Sequence, residues 1–330
     1  MHYHAKHIVL TGNKSTFVRL IFNYMNSKTK GYIYGVIAAV TYGMNPLFTL
    51  PLYKAGLTTD TVLFYRYFLA IIILGIMMKV RRIPFKIEKS HILPLCVLGL
   101  LFSCSSLTLF LSYNYMDAGI ASTILFVYPV MVAVIMALCF REKITLMTVF
   151  CITLALGGIG LLYQGPGGKT LSTAGVLLVL LSALTYAVYI VGLNRSAVSK
   201  LPVIKLTFYA LIFGILIYII RLKFCTELQI ITDPLLMVNA VALALFPTII
   251  SLVMITFAIH LIGSTPTAIL GALEPVTAVF FGVLIFKEQL TPRICLGIML
   301  ILVAVTLIIA GKPILTFASD RYRKLRKQTR

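Results

Sequence analysis

Glu274 stands near the middle of a long apolar run, directly before Pro275. An ionised group at bilayer depth costs roughly 2.5–3.5 kcal/mol to insert, so an acid there needs a partner, a cavity or a task. A carboxyl at that place can exchange a proton or hold part of a small molecule. The competing reading is a structural carboxyl, paired with Arg66 or kept neutral. Arg66 lies about 10 Å into its own apolar run at 1.5 Å per residue. Its planar fork suits a carboxylate or phosphate as well as it suits a strut between helices. Tyr128, directly before Pro129, is the counterpart of Glu274 in the other half of the chain. Tyr42 and Asn45 are three apart and share one helix face, and Tyr186 and Tyr189 repeat that spacing. Such groups line a polar cavity or make ordinary inter-helix hydrogen bonds. Pro46, Pro129 and Pro275 each remove a backbone donor and release a carbonyl one turn earlier, which bends the helix beside these residues.

The elements that must position them are membrane helices. The chain has 330 residues, 60% hydrophobic and 12% charged, with mean hydropathy +1.02. That composition excludes an ordinary soluble enzyme, a disordered chain and a disulfide-stapled domain. The apolar runs are long and continuous, unlike the alternating strands of an outer-membrane barrel. Ten of them, near 31–53, 59–79, 92–113, 118–140, 145–163, 173–193, 203–221, 235–259, 264–286 and 291–311, predict an all-α integral membrane protein. The short connections leave no room for a soluble catalytic domain. Residues 1–30 read as a polar arm on the cytoplasmic side. Met25 is a plausible start, which would make the first 24 residues an extension. Residues 312–330 form a basic tail.

With the N-terminus and every second connection on one side, that side collects 22 of the 29 Lys and Arg, and the other collects 6. Both termini are therefore expected in the cytoplasm, in the plasma membrane (the inner membrane of a bacterium). The net charge of +20 is read as this bias plus attraction to anionic lipid, and nucleic-acid binding is not expected. The six cysteines carry no CxxC spacing, and five lie in apolar runs, so buried free thiols are expected. His2, His4 and His7 have no acid or cysteine beside them, and neither a metal site nor a cofactor is expected.

The two halves repeat. Residues 122–145 shifted by 146 fall on 268–291, pairing Pro129 with Pro275, Glu142 with Glu288 and Thr145 with Thr291. Upstream, a shift of 144 pairs Gly31 with Gly175, Thr41 with Thr185 and Tyr42 with Tyr186. The repeats span 31–163 and 173–311. Each has five helices, an odd number, so the second copy is inverted relative to the first. Inverted repeats are the usual build of secondary transporters, with a midplane site between the halves. Glu142 beside Arg141 and Glu288 beside Lys287 are expected to form turn-stabilising ion pairs on opposite faces. Asp117 is expected to serve as a cap or a solvated helix end. Gly157, Gly158 and Gly160 are expected at close helix contacts.

The stretch "ASTILFVYPVMVAVIMALCFREKIT" (121–145) resembles the fourth helix and following turn of an EamA-type repeat of the drug/metabolite transporter superfamily, and "TAILGALEPVTAVFFGVLIFKEQLT" (267–291) is the second copy. "TYGMNPLF" (41–48) is similar to the family's first-helix motif, with Tyr42 in place of its Trp, and "FYRYFLA" (64–70) to its second-helix motif around Arg66. The resemblance implies a ten-helix carrier of a small metabolite, often an exporter, with a central cavity and no ATP-binding part. Amino acids, purines, sugars and drug-like compounds all suit a cavity of phenols and amides with one Arg and one Glu. Coupling to protons through Glu274 is the accompanying expectation. The contrasting function is a non-transporting scaffold whose basic tail docks lipid or a partner. An enzyme is not expected, since no P-loop or hydrolase motif appears and Glu274 is the single mid-depth acid.

Overall fold

The computed structural model describes residues 26–140, 146–162 and 171–309. The histidines of the arm, Arg141, Glu142, Thr145, Lys169 and the basic tail lie outside the described residues. Nine described helices are long and apolar enough to cross a membrane. They are α1 (Ser27–Lys54), α2 (Thr59–Val80), α3 (Lys89–Ser112), α4 (Ala118–Phe140), α6 (Thr173–Arg195), α7 (Val203–Arg221), α8 (Pro234–Ile262), α9 (Pro266–Phe286) and α10 (Pro292–Ile309). A shorter apolar helix, α5 (Leu146–Leu162), completes the set. Polar caps fix several starts. Thr58 accepts from Thr61 N, Ser172 from Gly175 N and Asp233 from Leu235 N, each satisfying a donor that a helix start leaves open.

Packing follows the repeat. The contact of α1 with α8 is matched by that of α6 with α3, and the contact of α1 with α9 by that of α6 with α4. Across the α3–α6 seam, Ser105 and Ser182 exchange hydrogen bonds, with Ser182 Oγ donating to Ser105 O at 2.7 Å and Ser105 Oγ to Ser182 O at 3.0 Å. Small hydroxyl residues thus let the two backbones approach and replace bonds that lipid cannot supply. Tyr67 and Tyr218, both fully buried, meet edge to face between α2 and α7 at 4.9 Å.

Four helices are interrupted. α1 breaks at Met44, between Ser27–Gly43 and Asn45–Lys54. α4 breaks between Ala118–Leu125 and Tyr128–Phe140, and α9 between Ser264–Leu270 and Leu273–Phe286, at the same place in the two repeats. α8 carries a π turn over Leu245–Ile250 around Pro247.

Several expectations are corrected here. Lys287 makes no ion pair with Glu288 among the described residues. Its backbone takes a left-handed turn (φ 61°), and the Glu288 carboxylate accepts from the N–H groups of Ala118 and Gly119 at 3.0 and 3.2 Å. That start of α4 is therefore capped from across the molecule, and Asp117, the residue before it, makes no capping bond. Of the three α5 glycines only Gly158 meets a neighbour, lying against the Gly297 backbone of α10; Gly157 and Gly160 face open space. The six cysteines are free, but only Cys151 is buried, and Cys139 and Cys295 are exposed on apolar surfaces. Apolar exposure is normal in a protein whose outer solvent is lipid, so an apolar run does not tell buried from lipid-facing.

Candidate functional site

The breaks in α1, α4 and α9 meet at one place. A narrow space there is walled by Tyr42, Asn45, Tyr113, Ser122, Tyr128, Tyr186 and Glu274, with Gly43, Leu109, Leu125, Phe126 and Pro275 filling the gaps. Tyr42 and Asn45 come from α1, Tyr128 from α4, Tyr186 from α6 and Glu274 from α9, so both repeats contribute.

Each proline leaves its mark on the backbone nearby. Pro46 cannot donate to the carbonyl of Tyr42, and the Asn45 side chain takes that place, Nδ2 donating to Tyr42 O at 2.9 Å. The other end of the same amide, Asn45 Oδ1, is buried without a partner. Pro275 releases the carbonyl of Gly271, which accepts from Glu274 N at 2.9 Å in a tightened turn. That turn starts the second half of α9 with a carboxyl in its first turn, where the helix dipole favours negative charge. Close approach completes the arrangement: a methyl group on Gly43 would run into the Glu274 backbone oxygen and lie 2.7 Å from Thr277 Cβ.

Glu274 takes part in no ion pair among the described residues. Arg66 stands elsewhere. Its Nε donates to Thr248 Oγ1 at 3.0 Å, and its guanidinium lies over the Phe110 ring at 5.2 Å. Thr248 in turn donates to Leu243 O, the carbonyl that Pro247 leaves free in α8. Arg66 is thus anchored on the π turn and does not wall the cavity.

The tyrosines form a ladder. Tyr128 meets Tyr186 edge to face at 4.8 Å, Tyr186 stacks on Tyr189 at 5.8 Å, and Tyr189 packs against Phe102 at 5.4 Å. Tyr189 is therefore one rung behind the wall, unlike Tyr42, Asn45, Tyr128, Tyr186 and Glu274. Pro46 and Pro129 shape the breaks without facing the space. Sequence reasoning did not assign Ser122, Tyr113 or Thr248 to this region. Nothing local marks Thr248 except the proline before it.

The arrangement offers a carboxyl, an amide oxygen without a partner and four phenols around a narrow space. Buried polar atoms are almost always bonded in folded proteins, to protein or to water. Asn45 Oδ1 and the Tyr113 hydroxyl, which has no partner in hydrogen-bond geometry, are open to bond with water or a guest.

Known proteins agree on the architecture. The pattern of the EamA-like transporter family matches residues 29–164 and 173–310, one match per repeat. A protein of Bacillus subtilis (strain 168), the uncharacterized transporter YcbK, is 25% identical over 270 residues, covering 79% of this chain and 86% of that one. The uncharacterized transporter sll1319 of Synechocystis is 29% identical over 215 residues, 64% of each chain. One solved crystal structure superposes with a TM-score of 0.60 at 16% identity, covering 84% of this chain and 96% of its own, a likeness of fold.

Proposed function

This chain belongs to the EamA-like transporter family, and from that premise we propose that it is a secondary carrier that exports a small metabolite by alternating access through the central cavity. It is an integral membrane protein. The observation that carries the finer reading is Glu274, a carboxyl without an ion-pair partner among the described residues, facing a space where broken helices of both repeats meet. A guest there touches parts that move against each other when the repeats rock, so its binding biases the equilibrium between faces.

The wall chemistry narrows the guest to a compact molecule with at least one polar or cationic group and an apolar or planar part. Glu274, Asn45 and the Tyr113 hydroxyl address the first; the rings of Tyr42, Tyr128 and Tyr186 address the second. Amino acids, purines, sugars and drug-like compounds with an amino group meet that description. Proton coupling follows from the same residue, since an unpaired carboxyl can trade a proton for a cationic group. The inner membrane of a bacterium, with both termini in the cytoplasm and anionic lipid around the basic segments, is the setting that the Lys/Arg distribution favours.

The test is an untargeted comparison of the metabolites released by overexpressing and deletion cells, followed by flux of the enriched compound through the purified protein in proteoliposomes. Protein-dependent flux supports the carrier. Release profiles that do not differ, with no flux of any compound class named above, would favour a scaffold whose basic tail docks lipid.

A further inference from the structure

A second hollow lies outside the polar cavity, between α4, α5 and α6. Its volume is about 570 Å³, and every wall residue is apolar, among them Val127, Met131, Ile152, Leu156, Leu181 and Leu184. Leu156, Leu181 and Leu184 are 63%, 45% and 45% exposed, so the hollow is a groove open toward the bilayer and not a sealed void. Val130 is the one buried residue of the half of α4 that begins at Tyr128, so that half-helix draws little packing from the rest of the protein. Val127, at the break in α4, precedes Tyr128, a wall of the central cavity. Protein interiors leave few spaces larger than a water molecule, since an unfilled space forfeits contacts. Water does not fill an all-apolar space, and a polar metabolite finds no partner in this one. Hydrocarbon matches both the walls and the surroundings.

We propose that this groove holds one acyl chain of an anionic phospholipid whose headgroup phosphate pairs with Arg195. The chain wedges between α4, α5 and α6 and supports the half-helix that carries Tyr128. This site is independent of what the carrier moves through its central cavity.

Arg195 sets the choice of headgroup. It ends α6, and its guanidinium lies at 4.5 Å over the ring of Phe140, which ends α4. Two walls of the groove therefore run to the same cation. Arg195 is exposed and has no ion-pair partner among the described residues. A guanidinium that covers an aromatic face keeps N–H groups for a phosphate, which it grips by two parallel bonds. Along α4 the groove begins at Ile135, about 8 Å before Phe140 at 1.5 Å per residue, and ends at Val127, about 20 Å before it. One leaflet fills about half of the roughly 30 Å hydrocarbon core, so a chain hanging from a phosphate at Arg195 enters the groove. A zwitterionic headgroup carries a cation beside its phosphate and loses part of this attraction, whereas an anionic one keeps it.

The test needs no substrate. The chain contains no Trp, so a single introduced Trp reports alone. Leu184→Trp puts the reporter on the rim of the groove, and Phe280→Trp, at an exposed position on α9 outside the groove, is the control. The full-length variants are placed in phosphatidylcholine nanodiscs with rising fractions of dibrominated phosphatidylglycerol, whose bromines quench a Trp in contact. Quenching of the groove reporter should be half complete at a several-fold lower fraction than quenching of the control. Arg195→Gln in the Leu184→Trp background should bring the two curves together. With the labels reversed, dibrominated phosphatidylcholine in phosphatidylglycerol should quench the groove reporter less than the control. Coincident curves for the two reporters, a groove reporter that no lipid quenches (as when protein covers the groove), or a preference that survives Arg195→Gln overturns the proposal. Should Leu184→Trp fail to fold, native mass spectrometry of the protein without the reporter decides. Phosphatidylglycerol should stay bound through detergent exchange and be lost in Arg195→Gln, and equal retention by the two overturns the site. Flux is not measured, so this outcome and that of the carrier test stand apart.

Discussion

Asn45 completes a backbone bond that Pro46 prevents, and the two residues should behave as a unit. Asn45→Ala removes the side-chain donor to the Tyr42 carbonyl, which keeps only the Met44 N–H, and should lower stability by about 1 kcal/mol. Pro46→Ala restores the backbone N–H, so Asn45→Ala in that background should cost far less. A double-mutant cycle on purified protein, read by thermal unfolding, measures the coupling; additive losses would show that Asn45 does not serve this carbonyl. The bend at Asn45–Pro46 was legible in the sequence, but the bond from the Asn45 amide to its own helix was not, since Asn45 was read as a cavity or inter-helix group. Arg66 was legible only as a choice between ligand and strut. Its partner Thr248 is 182 positions away, and no local pattern tells a guanidinium which distant hydroxyl it will meet. The same limit hid Glu288, whose neighbour Lys287 offered an opposite charge while the fold brought it two backbone donors instead.

The interrupted helices carry the site, and their placement was readable from proline, since Pro129 and Pro275 hold the same place in both repeats. The contact between α1 and α9 at Gly43 was not, because closeness of backbones leaves no periodicity. Gly43→Ala puts a methyl group against the Glu274 backbone oxygen and Thr277, and overpacking of this kind costs about 1–3 kcal/mol. Gly157→Ala, facing open space on α5, should be neutral or slightly stabilising, since Ala is the better helix former. Unfolding of the two variants in the same detergent compares them, and equal stabilities would mean that α1 and α9 do not meet as closely as described. The α5 glycines show why sequence reading overreached: a run of small residues marks a helix that can pack closely, not which of its faces does so.

At the scale of the molecule, ten apolar runs and a repeat in register foretold the architecture, because bilayer thickness and an odd helix count leave little choice. The paths across it are described by two faces. Lys54 and Glu288 share one, with the Arg221–Asp60 ion pair at 2.6 Å joining α7 to α2 there. On the other, Lys205 donates to Lys86 O at 2.7 Å and holds the α2–α3 connection over the start of α7. The 22-to-6 split of Lys and Arg predicts that the second face is the cytoplasmic one. Cysteines at positions 54 and 200 (Lys54→Cys and Lys200→Cys), probed in intact cells with an impermeant maleimide, should label from outside at 54 only; labelling at 200 alone would reverse the orientation. The central claim is that Glu274 couples a proton to passage through the cavity between the repeats. Its most direct test is uptake of the identified substrate into proteoliposomes under an imposed pH gradient, for wild type and Glu274→Gln. The account predicts that Glu274→Gln inserts and folds normally, loses gradient-driven accumulation and its pH dependence, and retains at most passive exchange. An unchanged rate with an unchanged pH profile would contradict it and leave Glu274 a structural carboxyl.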